Sequence, residues 1–168
     1  DSVQGYKVPS KQKIQSELAE AVAYLKKCDG ISNVKSSSDF NHYIATIGFT
    51  FKDVSNINNI TKNILAKQKI KATNTSSYSF NKATKVFLRK YQPVANAKSE
   101  FNKLKNQDKA VFNGATYTSI YRFESPVTNV TNPASNLSKS KKAVMLKSNI
   151  MNLINGKVNV SNQIQLLK

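Results

Sequence analysis

The sequence predicts an α+β fold, with one antiparallel or mixed β-sheet and helices packed on one of its faces, and three observations predict it. An apolar series at three- and four-residue spacing opens the chain, a strictly alternating series follows it, and hairpin signals recur further on. At 168 residues the length suits one domain, read over 1–168 with a polar N-terminal segment at 1–9. Phe, Tyr, Ile, Val and Leu are spread along the whole chain, which provides for a folded interior.

Ser10 precedes Ile14, Leu18, Ala21, Val22 and Leu25, a series that predicts an amphipathic helix from Pro9 to Cys28, ended by Asp29-Gly30. A Ser-rich turn is expected at Ser36 to Asp39. After it Tyr43, Ala45, Ile47, Phe49 and Phe51 alternate with His42, Ile44, Thr46, Gly48 and Thr50, the clearest strand pattern in the chain. A short helix is expected from Ser55, with Ile57, Ile60, Ile64 and Leu65 on one side. Tyr78 to Phe80 and Thr84 to Tyr91 read as strands joined by a turn at Asn81 and Lys82. Ala97, Phe101, Leu104 and Val111 carry a helix over Ala95 to Phe112, closed by Asn113-Gly114. Thr116 to Glu124 is a strand with Tyr117, Tyr121 and Phe123 on one face; Pro126 and Asn132-Pro133 then frame a polar loop. Ala143 to Lys147 and Val158 to Leu167 are strands separated by Asn155-Gly156, while Ile150 to Ile154 reads equally as a helical turn or a strand. No internal repeat is present.

Lys and Arg number 26 against 9 acids, a net charge of +17 that draws polyanions to the molecule. Arg89 and Arg122 are the only arginines. Sequence-specific reading of nucleic acid is thereby disfavoured, because base edges are read by arginine's planar fork and lysine is a point charge. The same Lys, Asn and Ile abundance is what an AT-rich coding sequence supplies without selection for binding.

Catalytic inventory is thin. His42 is the one histidine and is expected on the solvent side of its strand; Cys28 is the one cysteine, so neither an intrachain disulfide nor a multi-cysteine metal site can form. The nine acids are scattered, and Glu17 with Glu20 reads as a solvated helix surface. With five glycines and no phosphate-loop, G-x-S-x-G or Cys-x-x-Cys motif, the reading is of a protein that is not an enzyme, with no cofactor and no metal. Candidate contact residues come instead from bases set among aromatics: Lys82, Lys85, Arg89 and Lys90 around Phe80, Phe87 and Tyr91, Arg122 between Tyr121 and Phe123, and the cluster Lys139, Lys141 and Lys142. Such interleaving builds a polyanion surface; it also arises when aromatics face a core and lysines solvate the other side.

The run Cys28-Asp29-Gly30-Ile31-Ser32-Asn33-Val34-Lys35, the strand ending Ile47-Gly48-Phe49-Thr50-Phe51-Lys52-Asp53-Val54 and the following Ile57-Asn58 resemble uncharacterised small cell-envelope, lipoprotein-like proteins of the Bacteroidota. Tyr117 to Phe123 and Ser138 to Val144 resemble that group's closing strands. The resemblance implies an α+β envelope protein; the chain departs from it in having no N-terminal lipobox cysteine, so a soluble secreted or periplasmic form is implied.

The chain opens on Asp1 in a polar segment like a mature terminus after signal-peptide removal, and no stretch reaches the roughly 20 apolar residues that span a bilayer. These readings lead to an exported protein of the periplasm or cell surface. Its expected role is as an accessory or adaptor subunit with a protein partner in an outer-membrane or secretion-type assembly. The alternative is a lysine-rich protein that binds a polyanion: lipopolysaccharide, an anionic membrane surface or nucleic acid.

Overall fold

The computed structural model describes residues 2–3, 6–7, 10–60, 76–93 and 96–168, with side chains from residue 10 onward. Where one interior over 1–168 was expected, contacts gather into two compact units, residues 1–72 and 73–168. The chain is α+β and every strand pairing is antiparallel, with the strands shared among separate small sheets.

In the first unit, β1 (Ser2–Val3) pairs with β2 (Tyr6–Lys7) ahead of helix α1 (Lys11–Leu25). Ser10 caps α1, its hydroxyl accepting from the Lys13 amide at 3.2 Å, and Leu25 is its buried residue. Gly30, at φ +74°, turns the chain into β3 (Ile31–Asp39), which pairs with β4 (Ile44–Phe51). The Ser-rich stretch expected to turn is strand instead: Ser36, Ser37 and Ser38 pair with Ile47, Thr46 and Ala45. The turn is displaced to residues 40–43 because the Asp39 carboxylate accepts from the Asn41 amide at 2.9 Å and the His42 amide at 3.3 Å, closing the chain there. Helix α2 begins at residue 56 and is described to residue 60; Ile64 and Leu65 lie outside the described residues.

The second unit is two facing sheets. The first has the order β5-β6-β11-β8, from β5 (Ser77–Asn81), β6 (Val86–Lys90), β11 (Asn162–Leu166) and β8 (Val127–Val130). The second has the order β7-β10-β9, from β7 (Thr116–Arg122), β10 (Ala143–Asn149) and β9 (Asn136–Leu137). Phe87 of the first sheet meets Tyr121 of the second and Phe123 just past the end of β7 at ring-centroid distances of 4.9 and 5.6 Å, so the two sheets pack face to face through these rings. Val144, Ile164, Val160 and Leu146 are buried to 3% exposure or less. The ambiguous residues Ile150–Ile154 form helix α5, which places Leu153 against Leu146 and Val160.

Three expectations in this unit are corrected. The helix over Ala95 to Phe112 is two helices, α3 (Ala97–Lys103) and α4 (Asn106–Ala110), because Leu104 and Lys105 adopt extended backbone. The polar loop after Pro126 contains β8, whose register against β11 buries Val127 at 3% exposure. The last strand starts at Asn162, since the Asn159 side chain accepts from the Ser161 amide at 2.8 Å and holds residues before it in a turn.

Candidate polyanion interface

The β5–β6 turn is shaped by Asn81, whose side-chain oxygen accepts from the Ala83 and Thr84 amides at 3.0 Å each; this presents Lys82 at the tip and leads into Lys85 at φ +57°. The neighbouring chain end is pinned to that turn. The Leu166 amide donates to the Lys85 carbonyl at 3.0 Å and the Gln165 side chain donates to the Thr84 carbonyl at 2.8 Å. Leu167 then donates to the Pro126 carbonyl at 2.8 Å, and Val127 to the Lys141 carbonyl at 2.8 Å. Phe123, just past Arg122, donates to the Lys142 carbonyl at 2.9 Å.

This chain of bonds draws Lys82, Lys85, Arg122, Lys139, Lys141 and Lys142 to one end of the second unit, although they are separated by up to 60 positions in sequence. The loop from Ser138 to Lys142 is itself tight: Ser138 accepts from the Ala143 amide at 3.0 Å, its hydroxyl meets that of Ser140 at 3.1 Å, and Lys141 takes φ +56°. The Lys141 and Lys142 amides donate within the turn to Ser138 and Ser140, their carbonyls accept from Val127 and Phe123, and the three lysines are exposed.

All of these cations are exposed except Lys85, which is half-buried, and among the described residues none forms an ion pair. Glu124 is the acid in the same stretch of chain. The second unit carries 15 basic residues against 3 acids, a net +12 of the total +17, so the charge is concentrated here. Arg122 alternates outward from Tyr121, whose ring packs on Phe87, which shows why bases and aromatics interleave in the sequence: the strand has two faces.

Arg89 and Lys90 fall elsewhere. Arg89 points into the interior at 6% exposure, its guanidinium 4.7 Å from the centre of the Tyr78 ring and its Nε without a hydrogen-bond partner among the described residues. It is removed from the candidate surface for that reason. Burial raises the Tyr117 phenol above its ordinary pKa, an effect opposed by the Arg89 charge and by the adjacent Ser119 hydroxyl. Lys90 lines an open cleft of about 620 Å³ with Leu88, Thr131, Asn132, Ser161 and Gln163. The cleft's polar wall is spent on the fold: Asn132 donates to the Asn159 and Ser161 carbonyls at 2.9 Å each, its amide donates to Asn162 at 3.1 Å, and Asn162 donates to Ser135 at 2.8 Å.

The residues weighed for chemistry do not converge. His42 has a side chain 74% exposed, 2.7 Å from the Asp39 carboxylate, whose pKa it lowers. Cys28 is half-buried and donates to the Tyr24 carbonyl at 3.5 Å. Among the described residues no group of His, Cys, Asp or Glu is arranged to hold a metal, and no helix is long and apolar enough to cross a membrane.

Two members of the basic end escaped the sequence reading: Leu137 and Leu167, exposed at 43% and 53%. Leu137 falls in the expected polar loop and Leu167 at the end of the expected last strand, and neither position in the sequence marks its side chain as exposed beside the cations. Comparison of the chain with protein families, curated proteins and solved structures finds no match, so the resemblance to Bacteroidota envelope proteins rests on the residues quoted for it.

Proposed function

We infer that this protein is a non-catalytic binding protein whose partner is a polyanion, held by Lys82, Lys85, Arg122, Lys139, Lys141 and Lys142. One observation carries the reading: cations from two turns and the end of strand β7 are tied by backbone hydrogen bonds to one end of the second unit, with no acid paired to them among the described residues. Binding of heparin or polyphosphate, followed by fluorescence anisotropy, should weaken steeply with salt, at a log–log slope of about −4 to −5. Replacing Lys139, Lys141 and Lys142 together with Gln should flatten that slope by about 3. Binding that ignores ionic strength sinks the reading.

The exported adaptor reading keeps one observation in its favour. The outer half of the β3–β4 hairpin is exposed on both faces, and it ends in Tyr43 at 62% and Ile44 at 56% exposure. A paired substitution of Tyr43 and Ile44 by Ser should then abolish recovery of a stoichiometric envelope partner in pull-downs; unchanged recovery, or recovery of the chain alone from the start, counts against this role.

A further inference from the structure

The basic end is more than a set of charges, and its apolar members indicate which polyanion it meets. Leu137 stands directly before the Ser138–Lys142 turn, and Leu167 is bonded through its amide to Pro126, the residue before Val127, which is bonded to Lys141. Both leucines are exposed, and backbone bonds bring both to the end that carries Arg122, Lys139, Lys141 and Lys142. An isolated exposed leucine needs no explanation, but two at the end that carries these lysines, which form no ion pair among the described residues, make an amphipathic tip.

A single-stranded nucleic acid would be gripped by exposed rings on which bases stack. Here the nearby rings are turned inward: Phe123 and Tyr121 pack on Phe87, and Phe87 packs on Tyr78 at 6.3 Å. Lys82 sits on the β5–β6 turn and Lys139, Lys141 and Lys142 on the Ser138–Lys142 turn, with no exposed ring placed beside them in these turns. A lipid surface makes the opposite demands, namely cations at headgroup level and aliphatic side chains that enter the acyl boundary.

We propose that the end of the second unit formed by the Ser138–Lys142 turn, Arg122, Leu137 and Leu167 docks on an anionic lipid bilayer, its lysines on lipid-borne phosphate and its two leucines in the interfacial layer. This deepens the polyanion reading and rests on it. Each lysine at such a surface multiplies partitioning by about fivefold.

Co-sedimentation with vesicles of phosphatidylcholine alone and of phosphatidylcholine with phosphatidylglycerol tests the proposal, with heparin binding measured in parallel on the same proteins. The expected result is partitioning to the anionic vesicles only. Gln at Lys139, Lys141 and Lys142 should reduce it on the order of 100-fold, the product of three such factors. Leu137→Ser with Leu167→Ser should reduce it by about tenfold, the partial insertion of two side chains, while heparin affinity stays unchanged. Heparin binding without vesicle binding overturns the lipid assignment and leaves the polyanion reading standing. Vesicle binding indifferent to the leucine pair also overturns it. Binding to neither removes both. Because the substituted side chains are exposed, circular dichroism should match that of the unsubstituted protein and the unfolding midpoint should not fall, and Lys→Arg at the three lysines supplies a variant that keeps the charge and should keep the partitioning.

Discussion

Arg89 is a cation held inside a sandwich of two sheets, and its energetics are those of a core residue. The Tyr78 ring offsets part of the desolvation of its charge, while its Nε has no hydrogen-bond partner among the described residues. Truncation by Arg89→Ala should cost about 2–4 kcal/mol in denaturant unfolding, mostly through lost packing of the long stem. The longer apolar Arg89→Met should lie within about 1 kcal/mol of the starting protein, since it restores the volume without the charge. Neither should alter the salt slope of heparin binding. Tyr121 has a buried hydroxyl with no partner among the described residues, so Tyr121→Phe should be neutral or stabilising by up to about 1 kcal/mol. Tyr117 gives a pH dependence. Its folded pKa is raised, so below pH about 10 both states are protonated and stability is constant; above that the unfolded chain loses its proton first and stability falls as pH rises. Alkaline titration of the unfolding midpoint should show this fall, and Tyr117→Phe should diminish it.

At the scale of elements, two small devices hold the long connections in place. Asn132 and Asn162 are buried at 9% and 2% exposure and bond to each other's neighbourhood, stapling the loop after β8 to the start of β11. Asn162→Ala would leave the Asn132 amide without its acceptor, at a cost of about 2–3 kcal/mol measured by urea unfolding. Gly30 is the joint between α1 and β3. At φ +74°, an added Cβ would lie 2.5 Å from the Asn56 side chain, so Gly30→Ala should destabilise by about 1–3 kcal/mol, whereas Gly48, with open space around it, should tolerate Ala. The element patterns were largely legible in the sequence. Ser10 with its following apolar series, the alternation up to Phe51, and Tyr117 with Tyr121 all mark elements that are present. What misled was local chemistry: the serines after Lys35 have turn propensity but are recruited by pairing with β4, and the apolar spacing over Ala95 to Phe112 says nothing of the break at Leu104.

For the whole molecule, the concentration of charge in the second unit is the dominant fact. Self-repulsion among these cations opposes compaction, so the unfolding midpoint should rise as salt increases from about 10 mM to about 150 mM and the screening length falls from about 30 to about 8 Å. A bound polyanion should raise it further by linkage; a midpoint insensitive to both would show that the cations are too far apart to interact.

The sequence by itself determined the secondary-structure class, the excess of positive charge and the poverty of catalytic groups, because each is a property of composition or of short-range period. It also named the cations that lie at the basic end of the second unit. Tertiary structure alone decided which of them lie together: Lys85, Arg122 and Lys141 are drawn to one end of the second unit by backbone bonds between neighbouring strand ends, and Arg89, two residues from Phe87 on the same strand face, was drawn inward. The period of a strand reveals that residues share a face but leaves open whether that face is covered, and only the second sheet packed across it settles which side chains water reaches.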